Sequence, residues 1–369
     1  MGIGHSSPVV RGDRAWQFAR RGDREVLQAL ELETGRILWS AGHDVPYTMH
    51  PAARGHGKGP KSTPVLAAGR LVTLGIAGAL TAWDADGGEV LWRHDFADRY
   101  ESTSPVYGAS MSPIVLGDRV VAHVGGHRDG SLAAFDLESG RRQWSLDGDG
   151  PGYASPVPFR VDGVDQLVTQ TDAHVIGVDP EDGDLLWSLP MRTDYDQNVV
   201  TPLAVGSRLI LSGLNHGVFA VRPERDDEGW SARELWRNEE VSLYMSSPVH
   251  AAGRVFGMSH LRAGQFFALD PEDGSVLWRS RGREGDNAAV VAVDGRVLFL
   301  TDDARLIVAE AAADEYEPLT EHEVADSATW AHPVPTTRGL LVKDLEGLTL
   351  WDLGSPDACR RGRLRRCSS

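Results

Sequence analysis

An acidic residue, a glycine four positions on and a tryptophan four positions beyond it recur in fixed register along this chain. The frame reads Glu31/Gly35/Trp39, Asp84/Gly88/Trp92, Asp136/Gly140/Trp144, Asp179/Gly183/Trp187 and Asp270/Gly274/Trp278. A stretched copy runs from Val221 to Trp236, its turn lengthened by a segment carrying Gly229 and Trp230. A second marker precedes each frame, a small hydroxylated residue followed by proline. These are Ser7-Pro8, Thr63-Pro64, Ser112-Pro113, Ser155-Pro156, Thr201-Pro202 and Ser247-Pro248, and successive prolines lie 56, 49, 43, 46 and 46 residues apart. Two degenerate copies follow, one from Ala289 through Val308 and one from His332-Pro333 to Trp351. A period of this size marks a chain of stacked supersecondary units, none of which buries its apolar face alone.

Within one copy the pattern reads as four short strands. In residues 246–280, Ser-Pro-Val-His opens the first, and Ala252-Gly253 turns into the second, Arg254 to Met258. Gln265 to Leu269 is the third, and the turn Asp270 to Gly274 leads to the fourth, ending at Trp278. Short β-rich runs bounded by Gly, Pro and Asp are strand-and-turn signals. Four strands per period is the signature of a propeller blade. The fold expected is an all-β, eight-bladed β-propeller of four-stranded antiparallel blades. Seven copies have four strands; the last ends after its third, so the eighth blade lacks its outer strand. The marker glycine supplies the positive φ of the turn, and the acid bonds turn amides. Trp39, Trp92, Trp144, Trp187, Trp236 and Trp278 are expected to pack between neighbouring blades as structural anchors.

Composition limits the function. There are 53 acidic against 37 basic side chains, a net charge of −16, which disfavours nucleic-acid binding because phosphate must be neutralised by Lys and Arg. No apolar run approaches the roughly 18 to 20 residues of a membrane span. The propeller covers residues 4–353. Residues 354–369, with Arg360, Arg361, Arg363, Arg365 and Arg366, read as a basic, disordered tail. Both cysteines, Cys359 and Cys367, lie in that tail, so no core disulfide is expected.

The frame Ala-Leu-Asp-x-x-x-Gly-x-x-x-Trp resembles the tryptophan-docking motif of the pyrroloquinoline-quinone (PQQ)-like repeat family. That family holds quinoprotein alcohol dehydrogenases and BamB-like outer-membrane assembly lipoproteins. The likeness extends over residues 4 to 353 and is specific for fold rather than function. Segments such as Gly4 to Val10, Gly264 to Asp270 and Ala325 to Pro333 resemble bacterial secreted or periplasmic proteins of the same repeat. The resemblance implies a periplasmic or secreted location. It also implies a Trp-bearing strand and a signal peptide upstream of Met1, about 30 to 60 residues, with that strand closing the eighth blade. The quinone enzymes of the family carry an adjacent-cysteine disulfide, a calcium held by Glu and Asn, and a catalytic Asp. No adjacent cysteines occur here and no such acidic set can be matched. No catalytic residue, metal ligand or cofactor is therefore assigned, PQQ included.

Other chemistry is thinly signalled. His43, His50 and His56 lack the cysteine partners or helical spacing of a metal site. Gly55, Gly57 and Gly59 with Lys58 and Lys61 do not open a helix as a phosphate loop does. The loops that enter each innermost strand gather on one face of a propeller, and function sits in such loops. The candidate binding residues there are His5, Tyr47, His50, Lys61, Tyr107, Tyr153, Tyr195, Tyr244, Asn287, Trp330 and His332. Rigid amphipathic rings favour recognition; the same rings also serve to cap the funnel. The expectation is a monomeric, non-catalytic scaffold that engages a protein or glycan partner through this face, with the loops 40–62 and 94–112 carrying most specificity. The alternative is a PQQ-dependent or other oxidoreductase, or a hydrolase, that uses the central funnel.

Overall fold

The computed structural model describes residues 1–99, 105–127, 129–352 and 365–366. They form eight four-stranded antiparallel sheets arranged as a ring, an eight-bladed β-propeller. Blade one runs through Val9–Arg11, Arg14–Arg21, Arg24–Glu31 and Ile37–Asp44. Its two middle strands are buried along six consecutive residues each, because both faces of a blade are covered by its neighbours. Outer strands are mostly exposed. In blade two, Val90–Asp95 buries only Trp92.

The glycine-to-tryptophan spacing now has a geometric reason. The tryptophan of one blade lies on the turn glycine of the next. A Cβ on Gly88, Gly140, Gly183 or Gly274 would come within 2.6, 2.7, 2.4 or 2.3 Å of Trp39, Trp92, Trp144 or Trp236, respectively. The indole N–H groups of Trp92, Trp144 and Trp236 donate to Leu137, Pro180 and Pro271 carbonyls at 3.0, 3.2 and 3.0 Å. Trp187 and Trp278 have no such glycine. Blade five extends its turn into the long hairpin Val218–Asp226 and Gly229–Asn238, so Trp187 donates to Gln166 Oε1 in its own blade. Blade seven lacks the frame, and Trp278 meets Tyr316 at 5.3 Å instead.

The eighth blade departs from the three-strand expectation. Its strands are Val334–Thr336, Gly339–Lys343, Leu348–Asp352 and a two-residue fourth strand, Arg365–Arg366. That fourth strand pairs antiparallel with Trp351 and Asp352. An exposed strand edge takes any backbone partner within reach, and this one carries none of the apolar alternation by which a strand is read from sequence. The remainder of 353–369, and with it the expected disorder of the tail, lies outside the described residues. Blades eight and one meet through Ala15, Leu32 and Leu341 and through Arg338, which pairs with Asp13 and Glu33 at 3.2 and 3.5 Å.

Candidate functional site

The hydroxyl-proline markers line the central channel and tie the blades together there. The His332 N–H donates to Ser7 Oγ at 2.9 Å. Ser7 N–H then donates to Thr63 Oγ1, Thr63 to Ser112 Oγ and Ser112 to Ser155 Oγ, at 3.1, 2.9 and 2.9 Å. Ser155 donates to Thr201 Oγ1 and Thr201 to Ser247 Oγ, at 3.2 and 3.1 Å. Each hydroxyl thus accepts from the backbone of the preceding blade. The relay stops after Ser247 because the next marker position is Ala289, which has no hydroxyl.

Above this relay opens a funnel of about 490 Å³. His5 stacks on Trp330, centroids 5.1 Å apart and planes 8° from parallel. His56 meets Trp330 edge-on at 4.8 Å and Tyr107 at 5.1 Å, and Tyr107 meets Tyr153 at 5.7 Å. Lys61 projects into the same wall, its Nζ donating to Gly57 O at 3.4 Å. Burial lowers the Lys61 ammonium to about 8, against the opposing pull of Glu25. Burial, with Lys61 nearby, holds His5 neutral down to about 3. Among the described residues no Asp or Glu lines the funnel, and the formal charge they bring to its wall at neutral pH is the Lys61 cation, inside a protein of net charge −16.

Seven of the candidate residues gather here: His5, Lys61, Tyr107, Tyr153, Asn287, Trp330 and His332. Tyr153 is buried at φ 93° with no partner for its hydroxyl, and burial pushes that phenol well above its usual range. Asn287 is committed to structure, its Oδ1 accepting from Ser246 Oγ at 2.7 Å. Four candidates do not line the funnel. His50 caps the short 3-10 helix Pro51–His56, its Nδ1 accepting from Ala52 N–H at 3.2 Å. Tyr47 is half-buried beside Gly108. The Tyr244 hydroxyl is spent on Gln197. Tyr195 stands 79% exposed on its loop. His56 and Ser110 also line the funnel but were not among the candidates, although Ser110 lies two residues before the Ser112-Pro113 marker and His56 seven before Thr63. Part of the 94–112 loop, residues 100–104, lies outside the described residues.

No group of three His, Cys, Asp or Glu placed to hold a metal occurs among the described residues. The described lining residues offer no carboxylate to hold the calcium of the quinone dehydrogenases, and no chemistry is routed through that group.

Comparison with known proteins bears on the assignment. BamB from Yersinia pestis, an outer membrane protein assembly factor, is 26% identical over 248 residues, 66% of this chain and 56% of that protein. The match thus spans little more than half the length of that relative. The crystal structure of BamB from Moraxella catarrhalis superimposes with a TM-score of 0.66 at 16% identity, covering 93% of this chain and 92% of that one. A europium-containing methanol dehydrogenase superimposes with a TM-score of 0.64 at 12% identity, covering 95% and 82%. At such identities these two show the shared propeller alone. A family model described as outer membrane protein assembly factor BamB matches residues 22–280. That span holds blades two to six whole, the last two strands of blade one and every intact glycine-tryptophan turn, and on it the chain belongs to the BamB family of PQQ-like repeat propellers.

Proposed function

We propose that this propeller is a non-catalytic docking scaffold that binds a protein partner across the funnel face, outside the cytoplasm. One observation carries the reading: His5, His56, Trp330, Tyr107 and Tyr153 form a continuous aromatic chain around a half-open funnel. Large rigid rings with polar edges are the side chains that dominate protein recognition. The family membership supports a protein partner over a glycan and a periplasmic setting. The test is photo-cross-linking in the protein's own cells from a photoreactive residue at Tyr195, with Ile37 on the outer rim as control. A discrete protein adduct from Tyr195 and none from Ile37 is expected. Equal adducts from both, or none, count against the reading.

A second reading, an oxidoreductase or hydrolase working in the funnel, draws on the lowered ammonium of Lys61 beside His5 and His56. Mixing the purified chain with PQQ and calcium separates the two. The scaffold reading expects an unshifted quinone spectrum and no dye reduction by alcohols or sugars.

A further inference from the structure

The outer strands of blades six and seven, Val276–Arg279 and Pro318–Glu323, flank a second cavity of about 600 Å³ on the rim of the propeller. Small-ligand sites run from ~300 to 1,000 Å³. This one opens at a joint where the tryptophan frame fails. At three other joints the indole N–H of Trp92, Trp144 or Trp236 finds a carbonyl on the following blade. Trp278 is buried, yet its N–H has no acceptor, and its ring leans on Tyr316 rather than on a glycine turn.

The cavity wall is fixed by bonds that leave three of its charged side chains uncommitted. Ser280 closes one end, its N–H donating to Phe266 O at 2.9 Å and its Oγ accepting from Phe266 N–H at 3.0 Å. The Glu284 backbone is pinned on both sides, its N–H donating to Gly264 O at 3.1 Å and its carbonyl accepting from Arg305 at 2.5 Å. Arg279 pairs with Glu240 at 2.8 Å and Asp314 with Arg254 at 2.7 Å. The side chains of Arg281, Glu284 and Glu315 line the cavity and are hydrogen-bonded to nothing among the described residues. Burial, and then the charges of Glu284 and Glu321, push the Tyr316 phenol above its ordinary range, so it keeps its proton. The cavity therefore presents an aromatic floor, a guanidinium that only donates, two carboxylates that only accept and a phenol that does both. A charged ligand of either sign meets a like charge here. A neutral ring bearing several hydroxyls satisfies every group, because each hydroxyl both donates and accepts.

We propose that this cleft binds a neutral pyranose, as one unit of a glycan, with the apolar face of the sugar ring on Tyr316 and its hydroxyls shared between Arg281, Glu284 and Glu315. The aromatic ring takes the C–H face of the sugar out of water. Charge-assisted hydrogen bonds from Arg281 and to the two carboxylates replace those the hydroxyls make with water. Phe266 and Trp278, with centroids 6.1 and 5.3 Å from that of Tyr316, hold the platform in place.

The test is calorimetric titration of the intact chain with maltose, cellobiose and N,N′-diacetylchitobiose, each in its own arm. Saturable one-to-one binding of at least one sugar is expected. Arg281→Ala and Glu284→Gln should each weaken it at least tenfold with an unchanged thermal midpoint, and Tyr316→Ala should abolish it. The indole N–H resonance of Trp278 in the wild-type protein should shift as sugar is added, a readout that needs no variant. Absence of saturable binding in all arms, or undiminished binding by Arg281→Ala and Glu284→Gln, overturns the proposal. Equal binding of sorbitol, which has the hydroxyls but no ring, does the same. Binding lost in Trp330→Ala and kept in the rim variants places the sugar in the funnel and also overturns it. The rim variants leave the cross-link from position 195 unchanged, so this site stands or falls apart from the scaffold reading.

Discussion

The indole of Trp92 lies so close to Gly140 on the next blade that a Cβ there would come within 2.7 Å of its Cγ and Cδ2. Gly140 also sits at φ 73°, a conformation side chains resist. Gly140→Ala therefore meets both a backbone and a packing penalty and is expected to destabilise by about 1 to 3 kcal/mol. Trp92→Ala empties a nearly buried site and is expected to cost about 3 to 5 kcal/mol. In urea unfolding the double variant should lose less than the two single losses combined, because both act on one contact.

The relay of hydroxyls makes a more local prediction. Ser112 Oγ accepts from Thr63 N–H at 2.9 Å while Ser112 N–H donates onward to Ser155. Ser112→Ala removes only the acceptor, leaving the Thr63 N–H with water at best. A loss of about 1 kcal/mol is expected, and Ser112→Thr, which keeps the hydroxyl, should restore most of it. Exchange of the Thr63 amide, measured by NMR, should quicken in the alanine variant alone.

Glu25 gives the fold a pH dependence. Its carboxyl is fully buried, its Oε1 accepts from Ile76 N–H at 2.8 Å, and its Oε2 has no partner. Burial raises it from 4.5 to about 7, against the opposing hydrogen bond from Ile76. The unfolded chain releases this proton first, so the folded state holds more protons between those values. Stability contributed by Glu25 therefore falls as pH rises from about 4.5 to 7 and is flat above. Glu25→Gln should match the wild type near pH 4 and exceed it at pH 8 by an amount of the order of 3 kcal/mol. His43, stacked on Trp83 at 5.5 Å and lowered by burial from 6.5 to about 4, slopes the other way as pH falls below 6.5. The difference between Glu25→Gln and wild type across pH, rather than either curve, is the quantity to measure.

At the funnel, Trp330 carries contacts from both His5 and His56. Trp330→Ala should cut the cross-link yield from position 195 at least tenfold. The ring is only half-buried, so its thermal midpoint should move by no more than a few degrees. A large drop in the midpoint with an unchanged cross-link would assign these rings to sealing the channel.

The architecture was legible because each blade carries its own punctuation. Gly88, Gly140, Gly183 and Gly274 must be glycine for the ring of the next-door tryptophan, and that requirement writes itself into the sequence as a spacing. The hydroxyl markers were equally visible, but their purpose was not. Their bonds join residues of different copies, 43 to 56 apart in the forward direction. Nothing within one copy names the partner. Seven loop candidates converge on the funnel because topology alone carries every entering loop to one face. The other four diverge through local choices, such as the capping bond of His50 and the Gln197 partner of Tyr244. Two residues, Arg365 and Arg366, supply the last outer strand from a segment with no strand pattern.

The relay that stops at Ser247 has a mechanical consequence. Passing from blade seven to blade eight, the chain offers neither a marker hydroxyl, since His332 stands there, nor a tryptophan, since the outer strand Pro318–Glu323 has none. That joint rests mainly on apolar side chains such as Leu300, Leu340 and Val342, with the Trp351 indole N–H donating to Val324 O at 3.0 Å. Hydrophobic contact resists separation but is indifferent to small sliding, whereas a hydrogen bond fixes direction. The molecule is therefore built like a split washer. The relay ties six of the eight joints and Ser246, bonded to Ala288, ties the joint between blades six and seven, so strain placed on the rim gathers between blades seven and eight.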